Sequence, residues 1–364
     1  MKTKRRKLVP FALMALMFAG ILQSCQDKEE EKFSATLKSE VTADYLLNSN
    51  LDVVFEDQVV RETGKPEVLL LPIGSFNLLD YEDCFILNVA SGRNGSQPVS
   101  SAIIRFEGEV LLNTSDFSHS EEHYTMQICG VTEESVLEVE IRGAPGSALD
   151  IWMEGVMNSF LDPRDGRRYS VVHIGTQVWM AENLAWLPEV SPNSVISLTE
   201  PHYYVFGYIG TDVNEAKSQP NYTTYGALYN WPAAMTASPE GWHLPSDAEF
   251  KQLEMALGMS QADADATVNR GTDEGAQMKS TSGWLANGNG TNTSGFTALP
   301  GGILNSLTGN FFGTSTLANW WTSTEDIASP TNAWTRRLLN VSSQVNRSAI
   351  PVKSFGFSVR CVRN

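Results

Sequence analysis

The stretch "PEGWHLPSDAEFKQLEMALG", Pro239 to Gly258, gathers a histidine, a tryptophan and several carboxylates, yet it reads most completely as the start of a helix. Pro245 biases Leu244 toward an extended conformation. Ser246 then falls at the N-cap, Asp247 at the first helical position and Glu249 at the third. Serine followed three residues later by glutamate is a capping box, in which each side chain satisfies an orphaned backbone N–H. Both acids also complement the positive end of the helix dipole. Phe250, Leu253 and Leu257 recur at i, i+3 and i+7 as one buried stripe, and Gly258 stands where a left-handed residue ends a helix. Glu240 sits in a turn-like "SPEG", where solvation accounts for it. His243, between Trp242 and Leu244, is expected as a packed, hydrogen-bonded ring rather than a base or ligand.

The same balance holds upstream. "RYSVVHI" and "QVWMA" flank Gly175-Thr176, the signature of a two-residue hairpin. In "WMAENL", Trp179, Met180 and Leu184 are expected in the core, with Glu182 or Asn183 bonding loop backbone. The Pro/Asp/Gly-rich "LDPRDG" before this hairpin marks a boundary near Asn158. Beyond it the composition turns to Gly, Asn, Ser, Thr and Trp with few periodic runs, so long ordered loops on small sheets are expected.

Residues 36–157 read differently. "EVLLLPIGSF", "CFILNVASG", "SSAIIRFEGEVLL", "YTMQICGV" and "SVLEVEIRGAPGSALDIWMEG" are short β-rich runs divided by turn residues. Leu137, Val139 and Ile141 alternate with Glu138, Glu140 and Arg142. This spacing predicts an antiparallel β-sandwich. His119 and His123 flank Glu121 and Glu122 in a polar stretch that is expected as a connector rather than a metal site.

The chain opens with Lys2, Lys4, Arg5, Arg6 and Lys7, followed by fifteen apolar-rich residues from Leu8 to Leu22. That layout is a secretory signal over residues 1–24, and its apolar run is short of the ~20 residues that span a bilayer comfortably. "Leu22-Gln23-Ser24-Cys25" resembles the bacterial lipobox, which implies acylation of Cys25 and a stable membrane anchor. Residues 25–35 continue as an acidic tether with no packed core of its own. The tether is similar to the export tags of surface lipoproteins in Bacteroidetes-type bacteria, which implies the outer face of the outer membrane.

Five of the 26 basic residues and none of the 42 acidic ones lie in residues 1–24, leaving 21 against 42 and a net charge of −21 after cleavage. Such a surface repels phosphate backbones, so nucleic acid is not an expected partner. Membrane contact is expected through the lipid alone. With Cys25 given to lipid, export permits a Cys84–Cys129 disulfide, though sequence leaves open whether their backbones approach. Cys361 is then a lone, buried thiol, and no Cys/His spacing suggests zinc.

Six motifs carry a family resemblance: "DGRRYSVVHIGTQVWMAENL", "YGALYNWPAAM", "PEGWHLPSDAEFKQLEMALG", "GTNTSGFTALPGG", "WWTSTE" and "GFSVRCVRN". In this order, across residues 158–364, they resemble the Fibrobacter succinogenes major paralogous domain family. The resemblance implies a fold related to C-type lectins and to the formylglycine-generating enzyme, with paired terminal strands for which "VVHI" and "SVRCV" are the candidates. The expected fold class is therefore mixed α+β and all-β, an N-terminal sandwich followed by a loop-rich, lectin-like domain.

Three functions are weighed. The formylglycine-generating relatives use paired cysteines, whereas Cys361 stands alone in residues 158–364; no GxSxG, HExxH or P-loop occurs. No catalytic residue is named and a non-catalytic protein is expected. Sugar-binding C-type lectins pair an EPN- or QPD-like loop with a Trp-Asn-Asp strand. Gln219-Pro220-Asn221 matches the first, but Asn319-Trp320-Trp321 reverses the second. Calcium, the one cofactor considered, would instead need loop oxygens such as those of Glu325 and Asp326. The favoured expectation is a metal-independent module for an extracellular glycan or protein, with Trp284, Asn289, Asn292, Glu325 and Asn332 as its face. A structural subunit of a surface or fimbrial assembly is the alternative.

Overall fold

The computed structural model describes residues 51–62, 68–92, 97–118, 123–349 and 351–364. The signal segment, Cys25, the tether, His119, Glu121 and Glu122 lie outside the described residues. The chain divides into two compact units, one containing residues 55–76 and 83–153, the other containing 77–82 and 154–364.

The first unit is built on two four-stranded sheets. β1 (Leu51–Val60), β3 (Tyr81–Ser91), β6 (His123–Cys129) and β8 (Ala148–Met157) pair in the order β1-β8-β3-β6. β2 (Val68–Pro72), β4 (Ala102–Phe106), β5 (Glu109–Leu112) and β7 (Val136–Ile141) pair in the order β2-β7-β4-β5, antiparallel throughout. The alternation of "LEVEI" is realised: Leu137, Val139 and Ile141 are buried while Glu138 and Glu140 keep partial access to solvent. Cys84 and Cys129 are register partners on β3 and β6 and are joined by a disulfide.

The second unit mixes small sheets, short helices and loops. β9 (Ser159–Asp162), β10 (Arg167–Ile174), β11 (Gln177–Met180), β14 (Trp242–His243) and β21 (Val362–Arg363) form an antiparallel sheet in the order β14-β21-β11-β10-β9. Ile174 and Gln177 close the hairpin around Gly175, whose φ of +61° suits a residue without a Cβ. β12 (Tyr203–Tyr204) and β13 (Leu228–Tyr229) make a two-stranded ribbon. The largest sheet holds β15 (Val268–Arg270), β16 (Gly301–Asn305), β17 (Asn310–Thr314), β18 (Leu317–Glu325), β19 (Ala333–Leu339) and β20 (Val345–Ser348). Its order is β15-β20-β19-β18-β16-β17, with only β16–β18 parallel. Among the described residues six helices intervene: α1 (Val213–Lys217), α2 (Pro220–Tyr225), α3 (Trp231–Ala237), α4 (Asp247–Ala256), α5 (Gln261–Asp265) and α6 (Glu274–Met278).

Two apolar clusters lie on the two faces of β18. One holds Leu317 and Trp321 with Tyr229, Phe357 and Val359; the other holds Ala318 and Trp320 with Trp179, Phe250, Leu253 and Phe296. Strict alternation along β18 sends successive tryptophans to opposite cores. The terminal pairing differs from expectation. β21 pairs with β11, through Trp179 and Val362, and not with "VVHI", because β11 stands between β10 and β21 in the sheet. "SVRCV" is also buried on both faces, Ser358 and Arg360 as deeply as Val359 and Cys361.

Candidate functional site

The loop that enters α4 resolves the chemistry of the opening stretch. Ser246 Oγ accepts a hydrogen bond from Glu249 N–H at 3.2 Å, and Glu249 Oε2 accepts from Ser246 N–H at 2.7 Å, the reciprocal pair of a capping box. The other Glu249 oxygen lies 2.7 Å from His243 Nε2, while His243 Nδ1 lies 2.7 Å from Asn364 Oδ1. Burial would raise the Glu249 carboxyl, but the bonds from Ser246 and His243 outweigh it and hold the group low. Serine, glutamate and histidine are adjacent, yet the glutamate stands between the other two. His243 therefore has no contact through which to take the serine proton, as a general base must.

Asp247 turns into the protein. Its Oδ1 accepts from Arg336 Nη1 and Arg347 Nε, both at 2.8 Å, and its Oδ2 from Arg347 Nη2 at 2.7 Å. Glu254, two turns along α4, accepts from Arg336 Nε at 2.7 Å and Arg270 Nη2 at 2.6 Å. Arg336 and Glu254 are fully buried. Desolvation would raise the Asp247 carboxyl, but Arg347 and Arg336 hold it well below the usual carboxylate range. The array ties α4 to β15, β19 and β20. The sequence reading gave Asp247 to the helix dipole and passed over Glu254, Arg270, Arg336 and Arg347. One signal was present: position 254 shares the buried helix face of Phe250, Leu253 and Leu257.

Asn183 is a second buried junction. Its Oδ1 accepts from Trp320 Nε1 at 2.9 Å and Arg360 Nη2 at 2.8 Å, and its Nδ2 donates to Tyr225 O at 3.0 Å. Glu182 accepts from the backbone N–H of Ser170. Arg360 stacks over Phe296 at 4.2 Å, and burial pulls its guanidinium down to about 9. Burial pushes the neighbouring Cys361 thiol up to about 12, which deprives it of the thiolate that cysteine chemistry requires.

The five residues of the expected ligand face fall in two places. Trp284 is buried; its indole N–H donates to Ser280 Oγ and Ala298 O, and its backbone N–H to the side chain of exposed Asn289. Asn292, at φ +51°, bridges the N–H and hydroxyl of Thr297. This loop rests against the start of β18 and the end of β19, through Leu285 N–H to Ser315 O and Asn340 Nδ2 to Leu285 O. Glu325 and Asn332 lie at the opposite end of that hairpin, about 26 Å away at ~3.3 Å per strand residue. Glu325 pairs with Lys353 at 2.6 Å, whose ammonium sits 4.3 Å from the Trp231 ring. Asn332 closes its loop through backbone bonds to Ser329 and Asp326. Loop folding separates what sequence composition grouped, so the five do not make one face.

Gln219-Pro220-Asn221 begins α2, and Asn221 Nδ2 donates to Phe206 O; a helix start does not offer the open loop of an EPN site. Asp326 accepts from Ala328 N–H. Among the described residues no three His, Cys, Asp or Glu side chains group to hold a metal ion. Nor does any described helix have the length and apolar character to cross a membrane.

The second unit is thus a loop-rich assembly of small sheets locked by buried ion pairs and amide junctions. A profile of the Fibrobacter succinogenes major domain matches residues 172–363, more than half of the chain. The chain belongs to that family. No curated protein and no solved structure was found to match it.

Proposed function

We propose that the chain is an exported lipoprotein, anchored through Cys25 at the outer membrane and facing outward, whose C-terminal unit binds an extracellular glycan or protein without chemistry. In this reading the two four-stranded sheets are the halves of a β-sandwich spacer and the C-terminal unit is a C-type-lectin-like fold. The observation that carries it is the engagement of the reactive-looking side chains: Ser246, Asp247, Glu249 and Asn183 each hold a helix end or a loop in place. The lipobox-like "LQSC" and the acidic tether supply the address. The soluble chain from Gln26 onward, applied to glycan and matrix-protein arrays with and without chelator, should give chelator-insensitive binding. Chelator-sensitive sugar binding would replace this with a calcium site, and turnover of a bound sugar would end the non-catalytic reading.

A structural role in a surface assembly has one observation of its own. β2 is a sheet edge on which Val68, Leu69 and Leu70 are all exposed, and such an edge is a template for another strand. Membrane-bound chain that sediments as a polymer and binds nothing on the arrays would favour it.

A further inference from the structure

Arg337 is a partly buried cation that no acid among the described residues pairs with. Its Nε donates to Asn319 Oδ1 at 2.7 Å, and no hydrogen bond among the described residues reaches its two terminal nitrogens. Neither of those nitrogens is sealed away from solvent. In a chain with 42 acidic residues, Arg337 makes no ion pair among the described residues. Burial lowers its guanidinium with no carboxylate opposing the effect. The neighbouring Arg336 and Arg347, by contrast, both pair with Asp247.

A second orphan stands beside it. Asn319 is fully buried, and its Nδ2 has no hydrogen-bond partner. The amide cannot be turned round to cure this, because its oxygen is held by the Arg337 N–H. Cross-strand register extends the polarity. Asn269, Asn346, Arg337 and Asn319 are successive partners across β15, β20, β19 and β18, so they share one face of the sheet. Asn346 Nδ2 donates to Asn269 Oδ1 at 2.8 Å, which directs its own donor away from Arg337.

We propose that the Arg337 guanidinium, positioned by Asn319, is a binding site for a ligand carboxylate, of the kind carried by an acidic sugar or an acidic peptide side chain. The end-on fork of Nη1 and Nη2 matches the two oxygens of a planar carboxylate, while buried Asn319 holds the guanidinium in place through Nε. The partial burial of Arg337 strengthens the attraction relative to bulk water. The site lies apart from the loops holding Trp284, Glu325 and Asn332, and it does not depend on the surface-ligand reading.

The test is calorimetric titration of the chain from Gln26 onward with glucuronate, N-acetylglutamate, sulfate and glucose. Two variants accompany it. Arg337→Gln removes the fork, and Asn319→Asp supplies an internal carboxylate that occupies the guanidinium while keeping side-chain size. Saturable binding of glucuronate or N-acetylglutamate, absent with glucose and at least tenfold weaker in Asn319→Asp, is expected; which of the two binds tells sugar from peptide. Should Arg337→Gln fail to fold, Asn319→Asp still decides. No saturable carboxylate binding, binding of sulfate alone, or unchanged affinity in folded Asn319→Asp would overturn the assignment. Array binding that persists while no carboxylate titrates would leave the surface-ligand reading standing and remove this one.

Discussion

Replacing Asp247 with Asn should cost the C-terminal unit more stability than any exposed acid-to-amide change. Asp247 receives three charged hydrogen bonds of 2.7–2.8 Å from Arg336 and Arg347. Arg336 would retain Glu254, but Arg347 would lose its one ion-pair partner among the described residues. The new amide would also present an N–H toward a guanidinium. Breaking a buried pair from one side costs about 3–5 kcal/mol, because the surviving charge stays desolvated. For a unit of about 200 residues, each kcal/mol moves the midpoint by roughly 2–4 °C, so a fall of about 6–20 °C is expected. Eight of the nine tryptophans lie in this unit, all except Trp152, which makes tryptophan fluorescence during heating a selective readout. Asp265→Asn is the control, since its side chain is 55% exposed. If Asp247→Asn melted within 2 °C of the parent, the array would not be holding α4 to the large sheet.

Ser246→Ala should lower stability by about 1 kcal/mol through loss of the cap, measurable by denaturant titration, with no change in any array signal. Acid should unfold the C-terminal unit by a defined route. Asp247 and Glu249 are both held below their ordinary values, so their contribution is complete above an unfolded pKa of about 4. It is lost as pH falls through the folded values. The melting midpoint should be level near neutrality and drop below about pH 4, and Asp247→Asn should flatten the drop. Cys84→Ser with Cys129→Ser opens a loop of sequence separation 45; the N-terminal unit should lose about 4 kcal/mol on the chain-entropy scale. A denaturation midpoint indifferent to reductant would contradict that.

Local pattern carried much of the architecture. The capping box at Ser246 and Glu249, the stripe of Phe250 and Leu253, the turn at Gly175 and the alternation of Leu137, Val139 and Ile141 are all short-range, and each appears where its spacing placed it. The family signature over residues 172–363 was likewise legible as ordered motifs. The sites were not. Asp247 meets Arg336 and Arg347 across 89 and 100 residues, and Asn183 meets Arg360 across 177. No periodicity encodes such partners, because they are chosen by which strands become neighbours in the large sheet. The same sheet separates Trp284 from Glu325 and sets Arg337 beside Asn319. The sequence by itself determined the elements and their buried faces, since hydrophobic spacing and capping act within a few residues. Tertiary structure alone decided which buried charges are answered and which guanidinium is left open, since ion pairing depends on distances that only the packed sheets define.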